Sequence, residues 1–580
     1  MTTEGVKIKY GDVAPEAKES FSTSVSEKAD FVNLSQLQQY NLRVPNYANP
    51  CEYFMVPLDG TTTVMPAEPE NEIMGYVSEN ISNANGVFET PIVFTMTAES
   101  KFTSKGLTFT FDTYNNIFPD SINIKWYDDD TLLSDKDFTP NTAFYFCSNE
   151  VEHYNKLVIQ FNSMVLSYSR LRVQSIDFGY GTFFFGNELR AVTVSQQTNP
   201  LSLELPINTV SFTLESKNDI EYSFQTKQPL ETYFGGELRQ STFVTTSTRT
   251  AKRQWRVESE DYIGQMENIT FYGDVYTSKN VKELLTSTFS EARIPLHISS
   301  DLDTATITGY IAPTTLRDAV QQICFVINAV ATTSAVDGVK ISKLNDTIVE
   351  HLPLSRIRQG QSFKSSERVS QVSLEYYTYY APDTTSEEAE WENLYKASES
   401  GTGENIVVTF SEPHYHFLIS NGEILHNTAN YAIINAQENC RLRAYKYKSM
   451  SQKLIAINDD ISKSEHPVEK AVSGVTLVNE SNAQGILDKL YDYFLRVTTT
   501  KMKFNEGYHK DNSHKYGAFK YGTEKYKKST KSDVYVFDTI INVGDLITAD
   551  TEYLGVVTGR ILSEKYNCNG SILVKECEVM

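Results

Sequence analysis

The chain has 580 residues, which is too long for a single hydrophobic core, so we expect several domains. Its 52 Lys and Arg against 74 Asp and Glu give a formal net charge of −22, which argues against a nucleic acid as the partner of the whole chain. Charged content of 22% is typical of a folded soluble protein, and 12% aromatic residues, mostly Tyr and Phe, favour strands.

Cysteine usage and the N-terminus bear on where the protein is made. The six cysteines include no CxxC pair, so the sequence gives no support to a zinc or redox site and fits a reducing compartment. The first twenty residues lack an apolar run, and no stretch approaches ~18 consecutive apolar residues. We therefore expect no signal peptide, no membrane-spanning segment and synthesis in a cytoplasm.

The first 198 residues contain two different sequence patterns. In residues 1–80, Pro45, Pro50, Pro57, Pro66 and Pro69 are spread among short apolar pieces, so we expect an extended N-terminal arm. Residues 81–198 alternate apolar and polar residues in short runs between turn residues, which predicts a β-sandwich. The order "LTFTFD", Pro119, "INIKWYDD" and "KLVIQFN" resembles galactose-binding-like (discoidin-type) modules, whose loops at one end meet ligand.

The middle of the chain changes from strands to helices. Residues 199–270 alternate as strands around the turn signal Gly235-Gly236. Residues 271–348 predict a small inserted α+β domain, with Ser278 or Asn280 capping one helix and Thr314 or Thr315 near the start of a longer one. The longer helix has apolar residues at helical spacing, which predicts one buried face: Leu316, Ala319, Val320, Ile323, Cys324, Ile327 and Val330.

Strands return in residues 349–580, with one helix near 483–497 and a hairpin signal at Asn569-Gly570. Between Lys501 and Lys531, nine Lys stand against three acidic residues, a local charge of +6. This pattern predicts a basic loop at 501–531. Either it is solvated, or it contacts phosphate or an acidic protein surface.

Candidate chemical sites are few. No HExxH, GxSxG or Walker-type motif is present. His414 and His416 in "EPHYHF" have a spacing that permits metal binding but lack an obvious third ligand, and Tyr127–Asp130 could offer carboxylates to Ca²⁺ or be an exposed acidic turn. We therefore expect a protein that is not an enzyme and holds no cofactor or metal.

The order of three segments resembles a known family. They are "YIGQMENITFYGDVYTSKNVKELLTSTFSEARIPLHI", "GYIAPTTLRDAVQQICFVINAVATTSAVDGVKISKL" and "VGDLITADTEYLGVVTGRILSEKYNCNGSILVKECEV". Together they look like the baseplate hub proteins of phage tails and phage-tail-like bacteriocins (tailocins) of Gram-positive bacteria. No single motif is diagnostic, so the resemblance rests on their order.

The resemblance implies a mainly β, multidomain fold. Two tail-tube-like β-barrel domains, at 199–270 and 349–580, would flank the inserted α+β domain, with the β-sandwich as an N-terminal addition. Three subunits would form a homotrimeric, pseudo-sixfold ring in a virion or tailocin baseplate. Its partners would be the tail tube protein, the tape measure protein, the central spike and neighbouring baseplate proteins. An acidic lumen would repel DNA rather than bind it.

An alternative function is a glycan-binding adsorption protein of the tail tip, acting through the β-sandwich. Exposed aromatic side chains would then stack on sugar, with Trp126, Tyr127 and Tyr180 as candidates, although core packing is the commoner fate of strand aromatics. A tail-associated lysin is a third possibility that the lack of an appended hydrolase segment disfavours. The sequence leaves open a contractile or non-contractile tail, and a phage or a tailocin.

Overall fold

The computed structural model describes most of the chain and divides it into two compact units. The small unit comprises Ile8–Phe184 and Tyr222–Leu230, and the large unit comprises Met1–Lys7, Phe185–Glu221 and Glu231–Met580. The boundaries of the five predicted domains stay predictions. The described residues are 6–13, 15–27, 47–48, 63–64, 75–112, 116–185, 188–216, 224–234, 237–354, 357, 360–365, 368–397, 402–459, 468–495, 498–504, 509–510, 535–536, 541–569 and 572–580.

The small unit is built around one long antiparallel ladder. The elements up to residue 185 are β1 (Val6–Val13), α1 (Pro15–Ser20), β2 (Ser22–Val25), β3 (Tyr47–Ala48), β4 (Thr63–Val64), β5 (Tyr76–Ile81), β6 (Val87–Thr110), β7 (Pro119–Asp128), β8 (Thr131–Phe138), β9 (Phe144–Met164), β10 (Arg170–Val173) and β11 (Ser175–Phe185). β6 pairs with β9 along most of its length, and β2 and β11 also pair with β6. β7 lies between β8 and β9.

Alternation along these strands sends aromatic side chains into a shared core. Phe21, which follows α1 within the predicted arm, is fully buried there and stacks on Phe178. The core contains Phe94, Phe109, Phe111, Trp126, Tyr154, Phe161 and Phe178, all 0–1% exposed.

The large unit contains a sheet whose strands come from two distant parts of the chain. The first part contains β12 (Leu189–Gln197), β13 (Thr209–Glu215), β14 (Pro229–Phe234, of which Glu231–Phe234 belong to the large unit), β15 (Glu237–Ala251) and β16 (Gln254–Glu260). β12 pairs with β13, and β16 lies between β13 and β15.

An α+β segment follows β16. Its elements are α2 (Tyr262–Gln265), β17 (Thr270–Phe271), β18 (Val275–Asn280), α3 (Val281–Glu291), β19 (Leu296–Ile298), β20 (Thr306–Tyr310), β21 (Thr314–Thr315), α4 (Leu316–Ile327), β22 (Val330–Thr332) and β23 (Val339–Ser342). Asn280 caps α3 through its side chain, which confirms one of the two predicted caps. Thr315, predicted near the start of the longer helix, caps α4 in the same way.

α4 buries two sides. The predicted apolar residues of the helix lie in the core of the α+β segment, where Leu316, Ile323 and Cys324 are fully buried. Val330, predicted on the same face, lies instead on β22, because the helix ends at Ile327 and Asn328 takes the left-handed conformation. Phe325 points into a second core formed with residues 369–376 and 475–490. The helix is therefore a packing element between two parts of the large unit.

The rest of the large unit is again mostly strand. Its elements are β24 (Ile348–Leu352), β25 (Ser362–Ser365), β26 (Gln371–Tyr380), β27 (Trp391–Lys396), β28 (Gly403–Thr409), β29 (His414–Asn427), β30 (Tyr431–Lys446), β31 (Lys448–Ile457), β32 (Glu469–Val472), α5 (Ala483–Phe494), β33 (Thr498–Phe504), β34 (His509–Lys510), β35 (Tyr535–Val536), β36 (Leu546–Thr551), β37 (Gly555–Asn569) and β38 (Ile572–Val579).

Three sheets organise these strands. β26 lies between β31 and β32, and α5 contributes to the core beside β26. β30 pairs with β27, β28 and β29. In the third sheet β37 pairs with β38 and with β12, while β38 pairs with β33 and β33 with β25.

The prediction of a mainly β fold with several sheets and a small α+β segment is confirmed, as are the helix near 483–497 and the hairpin signalled by Asn569-Gly570. Most of the predicted basic loop at 501–531 lies outside the described residues. None of the described helices is both long and apolar enough to cross a membrane.

Candidate functional site

The most unusual group of side chains in the large unit is a buried ionic cluster. Arg239 on β15, Glu564 on β37 and Lys575 on β38 have side chains 0–1% exposed. Arg239 Nη2 lies 2.7 Å from Glu564 Oε2, and Lys575 Nζ lies 2.8 Å from Glu564 Oε1. One carboxylate therefore joins cations from two strands.

Neutral groups complete the cluster. The carbonyl oxygen of Ile541 accepts from Lys575 Nζ at 2.7 Å and from Arg239 Nη2 at 3.1 Å. Tyr566 donates its hydroxyl to Glu564 Oε2 at 3.0 Å, and its ring centroid is 4.7 Å from the Arg239 guanidinium carbon. The carbonyl and the ring face supply the negative potential that a second acid would otherwise provide.

This cluster joins sequence-distant halves of one sheet. Arg239 belongs to the strands before the α+β segment, whereas Glu564 and Lys575 belong to strands after it, and Glu564 lies opposite Gln196 in the β12–β37 ladder. Removing one member of a buried ion pair costs about 3–5 kcal/mol, because the other member is left uncompensated. The cluster therefore favours this strand arrangement over others.

A second buried group, the hydrogen bonds of the Asn430 side chain, connects the turn between β29 and β30 to the α+β segment. The side-chain amide of Asn430 is fully buried and donates to the carbonyl oxygens of Tyr272 and Ile311 at 2.7 and 2.9 Å. Its amide oxygen accepts from the Tyr310 hydroxyl at 2.8 Å. All of these bonds are directional, so the joint fixes position as well as proximity.

Our sequence prediction missed the ionic cluster, although the strand pattern contained a signal. Lys575 is in phase with the buried residues Cys577 and Val579 on β38, and Glu564 is in phase with buried Tyr566 on β37. A charged residue at an inward position of an alternating strand needs a partner. The signal shows that a partner is required but does not identify it.

The three predicted glycan-contact residues have different environments. The expectation that Trp126 is exposed is wrong: it is 0% exposed and packs edge-on against Phe138, because its position on β7 faces the core. Tyr127 and Tyr180 are half-buried, and Tyr180 packs against Phe146. The structure does not bring the three side chains onto one exposed surface, and a glycan-contact role for Tyr127 and Tyr180 stays a prediction.

The candidate metal residues have protein partners. His414 is buried and faces the carbonyl oxygen of Glu412 through Nδ1 and the carboxylate of Glu392 through Nε2, while His416 is exposed. In the 127–130 turn, Asp129 contacts Lys101 and Asn155, and Asp130 contacts Lys156. Among the described residues, no group of three or more His, Cys, Asp or Glu is placed to hold a metal ion.

Four cysteines are packing residues. Cys147, Cys324, Cys440 and Cys577 are buried and free, and burial raises the pKa of the Cys324 thiol to about 12. A thiol with so high a pKa is a poor nucleophile at neutral pH.

No protein-family model matches the chain, and no curated protein matches its sequence. The solved structures that resemble it include phage-tail proteins and a component of the type VI secretion system. The 43 kDa tail protein of prophage MuSo2 from Shewanella oneidensis is 8% identical, with a TM-score of 0.41, and the match covers 69% of this chain and 95% of that one.

Two further structures show a similar level of likeness. Prophage tail protein gp18 from Listeria monocytogenes EGD-e is 10% identical, with a TM-score of 0.34, over 69% of this chain and 90% of that one. The E. coli c3393 protein, a component of the type VI secretion system, is 7% identical, with a TM-score of 0.30, over 68% of this chain and 73% of that one. At these values the likeness assigns neither a family nor a function.

Proposed function

We propose that the chain is a structural baseplate hub of a phage or phage-tail-like particle, which forms a homotrimeric ring and joins the tail tube to the central spike. Its other partners would be the tape measure protein and neighbouring baseplate proteins, and its place would be the tail baseplate after synthesis in the bacterial host cytoplasm. The N-terminal region would be a galactose-binding-like sandwich added to a hub of the Gram-positive type.

The observation that carries this proposal is the interrupted sheet of the large unit. Strands 189–260 and strands 498–579 belong to one sheet, joined by the β12–β37 ladder, and the α+β segment lies between them in the chain. The order of segments in the sequence resembles hubs in which an α+β domain interrupts the tube-like parts. The pairing provides the physical arrangement that such an insertion needs, because the chain leaves the sheet and returns to it.

An exposed edge strand supports the association of copies. β31 pairs over ten residues with β26, and no strand of the described part of the chain pairs with its other edge. Met450, Ile455 and Ile457 on this strand are 50–55% exposed. A long edge strand without a proline or a bulge is a site where another strand can add, and ring closure would cover it.

The proposed role requires no chemistry from the chain itself. The ring would act by shape and contacts, so we propose that the protein is not an enzyme and needs no cofactor. The formal charge of −22 would keep DNA from adhering during passage.

The test is the mass of the purified full chain by mass photometry, with negative-stain images of the same sample. We expect a species of three 65.6 kDa chains that appears as a ring with a central hole. The double variant Ile455→Glu/Ile457→Glu should shift the population to monomer, because two buried charges per interface would go unpaired.

The matched control is Leu132→Glu, a similarly exposed leucine in the small unit, which should leave the trimer unchanged. A wild-type chain that stays a monomer at every concentration, also when mixed with its tail tube protein and spike, would contradict the proposal. If the double variant still forms a trimer, the hub proposal stands, but β31 does not lie in the interface between copies.

A further inference from the structure

The sheet that contains β31 has a second free edge. β26 lies between β31 and β32 in this sheet, and no strand in the described part of the chain pairs with the outer edge of β32. Half of the backbone N–H and C=O groups of Glu469–Val472 therefore point away from β26. An extended backbone that adds to the edge as a further strand would satisfy these groups.

A cleft of about 530 Å³ lies beside the edge of β32. Residues 470–475 form one side of it, and polar residues of α4 such as Asp318 form the opposite side. Leu203 and Phe494 also line the cleft, and like Val472 they are only half-buried against the core beneath β26. A strand added to β32 would cover these apolar side chains and extend that core.

A closed ring needs two different surfaces on every copy. Identical subunits related by threefold symmetry associate head to tail, so one surface of each copy contacts a different surface of the next. The trimer proposed above uses the outer edge of β31 and leaves the second surface unassigned. Because β31 and β32 are the opposite edges of one sheet, each copy has one edge to offer and another to receive.

The strand directions decide how the two edges would meet. β31 runs antiparallel to β26, whereas β32 runs parallel to it. A sheet continues from one copy to the next only when the symmetry axis lies roughly along its strands, and a rotation about such an axis preserves strand direction. β31 of the partner subunit therefore meets β32 antiparallel.

One antiparallel register matches an apolar residue on each edge. It places Met450 of the partner subunit opposite Val472. Met450 is 55% exposed and lies in phase with Leu454, which packs against the same core as Val472. Its side chain therefore points to the cleft side of the sheet. A shift by one residue would turn Met450 to the other face, and a shift by two would put Lys448 or Gln452 opposite Val472.

The same register also matches charge. It places Lys453 of the partner subunit opposite Glu469. In the described part of the chain, all contacts of the Glu469 carboxylate are made through Oε1, with Gln371, Ser373 and Lys453 of its own chain. Oε2 is thus open to a second lysine. Opposite charges directly across an antiparallel pair favour the pairing, and like charges disfavour it.

We propose that β31 of each subunit adds antiparallel to β32 of the next, in the register that places Met450 opposite Val472, so that the three-stranded sheets of neighbouring copies join. Ser451 then lies opposite Ala471, and Lys453 lies opposite Glu469. The inference rests on the proposed trimeric hub and specifies the contact between its subunits.

Disulfide cross-linking of the full chain tests this pairing. In the double variant Ser451→Cys/Ala471→Cys, the two cysteines face each other across the interface with Cβ atoms about 4.5–5.5 Å apart, near the range of a disulfide. Oxidation should give a covalent trimer on a non-reducing gel, against the wild-type chain as baseline. Within one chain β26 separates the two positions by about 10 Å, so a disulfide inside the chain is excluded.

Two controls test the register and the partner edge. Ser449→Cys/Ala471→Cys lies two residues out of register, so its yield of covalent trimer should be at least about tenfold lower. The single variant Ser451→Cys should give no covalent product above the baseline. A covalent dimer from this single variant would show that β31 pairs with itself, and an equal yield from both double variants would show a different register. Either result would overturn the proposal.

Mass photometry of the reduced samples separates this interface from the hub itself. A trimer whose Ser451→Cys/Ala471→Cys variant does not cross-link would leave the hub standing and overturn the proposed strand pairing. A chain that stays monomeric, also with its tail tube protein and spike, would overturn both.

A charge in the cleft provides a second measurement that needs no cysteine. Met450→Glu should raise the concentration at which half of the chains are assembled at least about tenfold, because its carboxylate would be buried against Val472 and Phe494. Leu425→Glu, at a similarly exposed position on β29, should leave that concentration unchanged. Equal assembly of both variants would contradict the pairing.

Discussion

The two units hold their strands together in different ways. In the small unit, β6, β7, β9 and β11 meet over an aromatic core in which Phe161 lies 5.3 to 6.3 Å, centroid to centroid, from Phe94, Phe109 and Phe111. In the large unit, the two halves of the sheet meet over Arg239, Glu564 and Lys575. The aromatic core depends on the apolar area that it buries, whereas the ionic cluster depends on the distances and directions between its charged groups.

The difference concerns specificity. Apolar burial is non-directional, so an aromatic core tolerates small shifts of one strand along another. A shared carboxylate does not, because a shift of one residue would turn Glu564 outward and leave two cations in the core. The directional cluster lies where the strands are most distant in sequence and local signals are weakest.

The small unit also has a buried ion pair, and it differs from the cluster. Lys18 Nζ lies 2.8 Å from Asp177 Oδ1. Burial alone would raise the pKa of Asp177, but Lys18 and Lys9 hold it below its ordinary value. This pair ties α1 to β11 beside the stacked Phe21 and Phe178, so it adds to an apolar contact rather than replacing one.

We expect the largest loss of stability when the buried ionic cluster loses its carboxylate. Glu564→Ala leaves Arg239 and Lys575 buried without a carboxylate, so we expect a loss of about 3–5 kcal/mol in the free energy of unfolding of the large unit. Urea denaturation, monitored by hydrogen exchange of the amides in β37 and β38, measures this loss in the free energy of unfolding.

The control for that change is Lys565→Ala, because Lys565 is exposed on the same strand. It should cost less than about 0.5 kcal/mol. A Glu564→Ala variant that loses no more than this control would show that the cluster contributes little to stability.

A smaller effect is expected in the aromatic core. Phe161→Leu keeps an apolar side chain of slightly smaller volume at a fully buried position, so we expect a loss of about 1–2 kcal/mol. Hydrogen exchange in β6 and β9 should report it, with β37 and β38 unchanged. If both units lose protection equally, they unfold together and the comparison fails.

We expect the smallest loss of stability from removing the N-cap of α4. Thr315→Ala removes the side-chain acceptor for the Asp318 N–H and should cost about 1 kcal/mol, whereas Thr315→Ser should restore most of that loss. Thermal denaturation by circular dichroism measures both. A larger loss would indicate that the contacts of α4 with its two cores depend on this cap.

The features that the sequence predicted correctly are local ones. The cap at Asn280, the start of α4 near Thr315, the amphipathic face of α4 and the hairpin after Asn569 each depend on residues within a few positions of one another. Trp126 shows the limit: alternation places a residue on a face of β7 but does not say which face meets the core.

The candidate site was the least predictable part. Arg239 and Glu564 are 325 positions apart, and neither lies in a motif. Only the inward phase of Glu564 and Lys575 gave a signal, and it did not name Arg239 as the partner. The β12–β37 pairing was hidden for the same reason, because each strand has an ordinary β pattern by itself.

The interrupted sheet also sets an order of events during synthesis. Thr193 on β12 and Asn567 on β37 are 374 positions apart. At 5–20 residues per second, the ribosome needs roughly 20 to 75 seconds to make the partner of β12 after β12 itself. During that interval the small unit has time to fold, while the edge of β12 that later pairs with β37 is still unpaired. The late arrival of Glu564 then closes the sheet and supplies the buried carboxylate that Arg239 needs, both in one step.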